Sequence, residues 1–191
     1  MAGKRLILFI DSGDTLVDEA AQVWDNGIVV ETALIPGAAE ALRLIRSRAY
    51  TIALVADGEK KSFDNVYRQH GLEDCFDVRA VSGVIGVQKP DPLMFRTALE
   101  QLGLSGNDKG RIVMVGNNLR RDIRGANLFG IASVLIDWSP RYPRESAEPC
   151  EIPDYTIHTP AELPPLLETL EEALARGEPL KKESRRSFPA V

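Results

Sequence analysis

RLILFIDSGDTL at residues 5–16 decides how the chain folds: a short apolar run ends abruptly at Asp11, next to a turn containing Gly13. A continuous apolar stretch of this length reads as a strand buried on both faces, the habit of parallel sheets. The same pattern returns at 51–56 (TIALVA), 77–81, 112–115 (IVMV) and 131–136 (IASVLI), with a short edge strand at 154–157 (DYTI). Between these runs the period changes to that of a helix. Residues 37–48 follow Pro36 with Ala38, Ala41, Leu42 and Ile45 on one face, and 60–70 stop at Gly71. After Pro90 and Pro92 a helix runs to about Leu102, residues 120–129 close at Gly130, and 161–175 are amphipathic. Strands alternating with helices, joined by right-handed crossovers, predict a doubly wound α/β fold: a Rossmann-like three-layer sandwich with a mostly parallel sheet. Ligands of such sheets sit beyond the carboxyl ends of the strands, where Asp11, Asp57 and Asn117 all fall.

Length and composition agree with one domain. Of 191 residues, 44% are apolar and 27% charged, enough for a proper core. The expected division is a core over 1–176, with a hairpin flap near 17–31, and a polar, basic, disordered tail over 177–191. The net charge of −5 argues against nucleic-acid binding by phosphate neutralisation. Leu6–Ile10 is too short an apolar run for a signal peptide or a membrane span. Cys75 and Cys150 lack metal-site or disulfide spacing, so a reducing cytoplasmic setting is expected.

Three clusters carry chemistry. Asp11 at a strand end is exposed to act as a covalent nucleophile. Lys89, in QKPDP at 88–92, is held by two prolines; its ammonium beside a carboxylate would keep that carboxylate ionised and offset an anionic substrate. In VGNNLRRDIRGAN at 115–127, Asp122 falls in the first helical turn, where it suits the dipole or supports a magnesium ion. Each feature alone has an ordinary structural explanation.

Their order changes the weighting, because together they resemble the haloacid dehalogenase superfamily from about residue 5 to 137. DSGDTL resembles the family's first motif, DxDGTL. LVADG at 54–58 stands where the second motif has a strand ending in Ser or Thr. Lys89 matches the third, and GNNLRRDIRGANLFG at 116–130 matches the fourth, GDxxxxD. The resemblance implies an aspartyl intermediate on Asp11 and magnesium held by Asp11, the Gly13 backbone carbonyl, Asn117 and Asp122. It also implies substrate binding by Lys89 with the second-motif residues Ala56, Asp57 and Gly58.

Three positions depart from the pattern. The family's phosphatases carry a second Asp two residues after the nucleophile, as acid for the leaving group and base for water; here it is Gly13. Such help is worth about 10²–10⁴-fold. Ala56 removes a hydroxyl, and Asn117 replaces a charged ligand with a neutral amide. Asp14 and Asp57 are the candidates for a displaced proton-transfer carboxylate, although Asp14 suits a local loop bond. Dehalogenases of the family also lack the second Asp but usually place an aromatic residue there.

No cap domain is expected, since about twenty residues between Leu16 and Pro36 are too few for a helical lid. Asp25-Asn26-Gly27 signals a hairpin turn, and Trp24 beside it reads first as a core or interface residue. An uncapped site implies a bulky substrate or closure by a homo-oligomer. His70 and His158 read as structural, and Arg120 and Arg124 as a solvated face. The leading expectation is a magnesium-dependent phosphatase. A degenerate binding protein without turnover comes second and a dehalogenase-like hydrolase third.

Overall fold

In the computed structural model, which describes residues 6–182, six strands form one parallel sheet. The elements in order are β1 (Ile7–Ile10), β2 (Val23–Asp25), β3 (Ile28–Glu31), α1 (Ala38–Ser47), β4 (Thr51–Ala56), α2 (Lys60–Gln69) and β5 (Val78–Val81). There follow α3 (Ser82–Ile85), α4 (Pro92–Gln101), β6 (Ile112–Gly116), α5 (Arg124–Phe129), β7 (Ala132–Ile136), β8 (Tyr155–Ile157) and α6 (Leu163–Ala175). The sheet order β5-β4-β1-β6-β7-β8 leaves β1 in the middle. The chain winds outward from it on one side, then crosses back to begin β6 on the other. That reversal opens a crevice between the loops after β1 and β6.

Alternation along β1 builds a core on each face. Leu8 and Ile10 join Ile52, Leu54, Val113 and Val115 against α1, α2 and α6. Ile7 and Phe9 join Ala53, Val55 and Met114 against α4 and α5. The predicted doubly wound, three-layer sandwich is the fold observed. The apolar runs show no polar alternation because neither face of the sheet meets water.

Outside the six-stranded sheet, β2 and β3 pair antiparallel. Asn26 and Gly27 between them both have positive φ, the backbone of a tight I′-type hairpin turn. The hairpin is tied to α2: Ser62 Oγ accepts from Val29 N at 3.0 Å and Asn65 Nδ2 donates to Val29 O at 3.0 Å. Gln69 brackets Thr32 with bonds in both directions, at 3.1 and 2.9 Å. Trp24 does not enter the core as expected. It is 60% exposed, and it borders the cavity between the hairpin and α2 instead of packing in the core.

Two further expectations need correction. The stretch 120–129 is not one regular helix: Leu119–Ile123 form a widened, π-type turn before α5. The carbonyl of Asn118 accepts from both Asp122 N (2.9 Å) and Ile123 N (3.3 Å), which opens the turn. Residues 177–182, assigned to the tail, are anchored to the core through Leu180. Gly177 reverses the chain at positive φ after α6, and Leu180 re-enters the core at 2% exposure. Tyr155 Oη donates to Leu180 O at 2.8 Å and Asp154 Oδ1 accepts from Lys182 N at 3.0 Å. Averaged composition hid this single apolar anchor. Residues 183–191 of the expected tail, and residues 1–5 of the expected core, lie outside the described residues. Leu180→Ala is expected to lower stability by about 2–3 kcal/mol, read as the shift in a urea midpoint. An unchanged midpoint would mean that this re-entry adds nothing to the fold.

Candidate active site

Three loops at the carboxyl edge converge on one ammonium group. Lys89 Nζ lies 2.6 Å from Asp11 Oδ1, 2.7 Å from Asp122 Oδ1 and 2.8 Å from the carbonyl oxygen of Val55. Both Lys89 and Asp122 are almost wholly buried, at 4% and 1% exposure. Asp11 is delivered by β1, whose register with β6 continues through the bond from Asp11 N to Val115 O. Lys89 is fixed by its own N–H, which donates to Asp57 Oδ1 at 3.0 Å, and by the helix start that follows. There Asp91 caps α4 by accepting from Leu93 N. Asp122 is oriented by the bond from Asn118 N to its Oδ2 at 2.9 Å. It also needs Gly116 behind it, since a Cβ there would come within 2.5 Å of Asp122 Cβ and nearer still to its carboxyl.

Burial opposes the charge on Lys89, but Asp11, Asp122 and Asp57 outweigh it, and its pKa is raised. Burial pushes Asp122 up to about 6, with Lys89 acting against it and Asp11 adding repulsion. Burial also raises Asp57, whose Oδ2 accepts no hydrogen bond and has Arg121 Nη1 at 3.7 Å. Glu19 is raised by burial and by Asp14.

These groups surround a small polar pit of about 40 Å³, lined by Asp11, Gly13, Glu19, Asp57, Lys89, Asn117, Asn118, Arg121, Asp122 and Tyr142. Beside it lies a larger cavity of about 550 Å³, walled by the hairpin, α2 and α3. The structure therefore brings together Asp11, Gly13, Asp57, Lys89, Asn117 and Asp122, all of which line the pit, while Gly58 lines the larger cavity. Ala56 is not brought there. It is 1% exposed, packs in the core and borders neither cavity.

Asp14, considered as a substitute acid, turns away. Its Oδ1 accepts from Glu19 N at 3.1 Å and its Oδ2 from Arg141 Nε at 2.6 Å. Arg124 pairs with Glu148 at 3.0 Å, and His70 Nε2 sits 2.8 Å from Thr32 O, a structural role for both. Sequence reasoning missed Glu19, Asn118, Arg121 and Tyr142. Asn118 carried a detectable signal, being a side-chain cap that accepts from Arg120 N and Arg121 N. Arg121 did not, because the widened turn sets which arginine faces the pit.

Among the described residues no three His, Cys, Asp or Glu side chains gather as a metal cluster. The pit instead offers the carboxylates of Asp11 and Asp122 and the Asn117 amide, with Gly13 in its wall. Such hard oxygen donors suit Mg²⁺. Its lining sets four carboxyl groups against two cations, Lys89 and Arg121, so negative charge is in excess. Like charges about 4 Å apart repel by about 4 kcal/mol in a partly screened interior. A phosphate would need a further cation to enter, and the residues present fit that need.

A doubly wound sheet with an Asp–Lys–Asp trio at its reversal point is the frame of an α/β ligand-binding protein whose charged groups meet at one crevice. The chain belongs to the haloacid dehalogenase-like hydrolases, whose family model matches residues 6–130. It is 33% identical over 138 residues to the glyceraldehyde 3-phosphate phosphatase of Pyrococcus furiosus, covering 72% of this chain and 54% of that one. With the phosphoserine phosphatase of Thermus thermophilus it shares 35% over 104 residues, 54% of this chain and 41% of that one. The crystal structure of a HAD phosphatase from Thermococcus onnurineus superposes with a TM-score of 0.60 at 30% identity, covering 70% of this chain and 58% of that one. The chain thus spans about half the length of the curated relatives it matches.

Proposed function

We propose that this chain is a magnesium-dependent phosphatase working through an aspartyl-phosphate on Asp11. The observation that carries the reading is the ammonium of Lys89 held between Asp11 and Asp122 at 2.6 and 2.7 Å, at the floor of a polar pit. A lysine so placed keeps Asp11 ionised and ready to attack phosphorus. Arg121, at the pit, faces the incoming phosphate oxygens. Magnesium held by Asp11, Asp122, the Asn117 amide and the Gly13 carbonyl would supply neutralisation of phosphoryl charge. The phosphatases among the relatives support phosphate-ester hydrolysis as the reaction.

The larger cavity speaks to the rest of the substrate. Its walls include Val17, Trp24, Val29, Phe63 and Val66 together with Glu19, Asp57 and Glu59, and no Lys, Arg or His. A phosphomonoester with an uncharged or cationic, partly apolar body fits this lining. A second phosphate or a carboxylate on the body would meet only repulsion. Unpaired, buried Cys75 and Cys150 suit a reducing cytoplasm, and no described helix is long and apolar enough to cross a membrane.

The test is phosphate release from a panel of monoesters, with and without added magnesium. Activity is expected only with magnesium, and at least about tenfold higher kcat/KM for uncharged bodies than for bisphosphates. Equal activity in chelator would end the metal-dependent reading. Saturable ligand binding with no release across the panel would favour the alternative of a binding protein.

A further inference from the structure

The side chain missing at position 13 has its place taken by another. A Cβ built on Gly13 would stand 2.7 Å from Cδ of Glu19 and 3.0 Å from its Cγ, with Oε1 nearer still. The carboxyl group of Glu19 therefore fills the volume that an aspartate at 13 would enter. Glu19 is also placed for proton transfer. The pit that holds the nucleophile and the large cavity that fits the substrate body share only Gly13, Glu19 and Asp57 in their linings. The bond that breaks in a monoester must lie across that boundary. Gly13 has no side chain; Asp57 spends Oδ1 on the amide of Lys89 and has Arg121 Nη1 3.7 Å from its Oδ2, so Asp57 is the competitor that experiment must separate from Glu19.

The local fold holds Glu19 in place. Asp14, at positive φ, turns its carboxylate back to accept from Glu19 N. Arg141 then bridges the two acids, with its Nε 2.6 Å from Asp14 Oδ2 and 3.3 Å from Glu19 Oε2. Asp14 and Arg141 are thus positioning residues.

We infer that Glu19 is the general acid and base of this site, replacing the carboxyl absent at position 13; the inference rests on the phosphatase reading above. In the first half-reaction an Asp11 carboxylate oxygen bonds to phosphorus. The ester P–O bond breaks, and the departing oxygen takes the proton from the Glu19 carboxyl. In the second, water gives a proton to the Glu19 carboxylate as its oxygen bonds to phosphorus. The bond to Asp11 breaks, and inorganic phosphate leaves. Protons, atoms and charge balance with no further reactant.

The experiment compares p-nitrophenyl phosphate, whose leaving group departs without a proton, with a simple alkyl phosphate that needs one. Both are assayed with magnesium, using wild type, Glu19→Gln, and the double variant Gly13→Asp with Glu19→Ala. Glu19→Gln is expected to lose about 10²–10³-fold in kcat/KM on the alkyl ester but less than about tenfold on p-nitrophenyl phosphate. Its kcat on the latter falls as phosphoenzyme accumulates, seen by intact mass after acid quench. The double variant, with the acid returned to position 13, recovers at least about tenfold on the alkyl ester. Equal losses on both esters, no loss on either, or the leaving-group penalty appearing in Asp57→Asn instead would overturn the assignment. If wild type releases phosphate from neither ester, the phosphatase reading falls and takes this one with it. An active wild type beside an unselective Glu19→Gln removes only the role of Glu19.

Discussion

Asp11→Asn is expected to cut magnesium-supported phosphate release by at least about 10⁴-fold while leaving the fold intact. The amide is nearly isosteric but cannot form the acyl-phosphate bond, so the chemical step is lost even where magnesium is supplied in excess. Lys89 keeps two of its three partners in this variant, the Asp122 carboxylate and the Val55 carbonyl. Its ammonium is therefore not stranded, and the urea midpoint should move by less than about 1 kcal/mol equivalent. Intact mass after acid quench should show no phosphoenzyme with any ester. A variant that retains a few per cent of wild-type turnover would rule Asp11 out as the nucleophile.

Lys89→Met should do the opposite, injuring stability as well as activity. Its ammonium compensates Asp11 and Asp122 inside the protein, and removing one partner of a buried ionic cluster costs about 3–5 kcal/mol. The penalty has a pH signature in metal-free buffer. Asp122 already has its folded-state pKa pushed up to about 6, above the unfolded value, so the folded chain takes up a proton before the unfolded chain does. Stability from this group is fully present below the unfolded pKa and is lost as pH rises through about 6. Without Lys89 that window moves to higher pH, so the deficit of the variant should be largest near neutrality and shrink on acidification. Magnesium should also raise the melting temperature of Lys89→Met more than that of wild type, because a divalent ion restores the missing positive charge. A deficit that ignores both pH and magnesium would mean that lost packing, not lost charge, explains it.

The sheet could be read from the sequence because its central strands are short apolar runs ended by polar turns. RLILFI, TIALVA and IVMV have no other stable home than the middle of a covered parallel sheet. The same logic placed Asp11, Asp57 and Asn117 at one edge; the prolines of QKPDP singled out Lys89, and the family resemblance gave it weight. What stayed hidden depends on local backbone geometry. Glu19 reaches position 13 only because Asp14 adopts positive φ and folds the loop back on itself. Arg121 rather than Arg120 or Arg124 lines the pit because an extra residue in the turn after β6 changes the helical phase. Leu180 was lost in a stretch whose other residues read as a solvated tail.

The hairpin leaves the reactive floor untouched. Ser62, Asn65 and Gln69 tie it to α2, and none of these bonds reaches Asp11, Lys89 or Asp122. Its outer strand carries no buried residue. On the phosphatase reading, substitutions at Trp24, the β2 residue that lines the larger cavity, are therefore expected to retune which esters bind while leaving Asp11, Lys89 and Asp122 in place. The ribbon is a natural cassette for saturation libraries, with β1 and the Lys89 loop held constant.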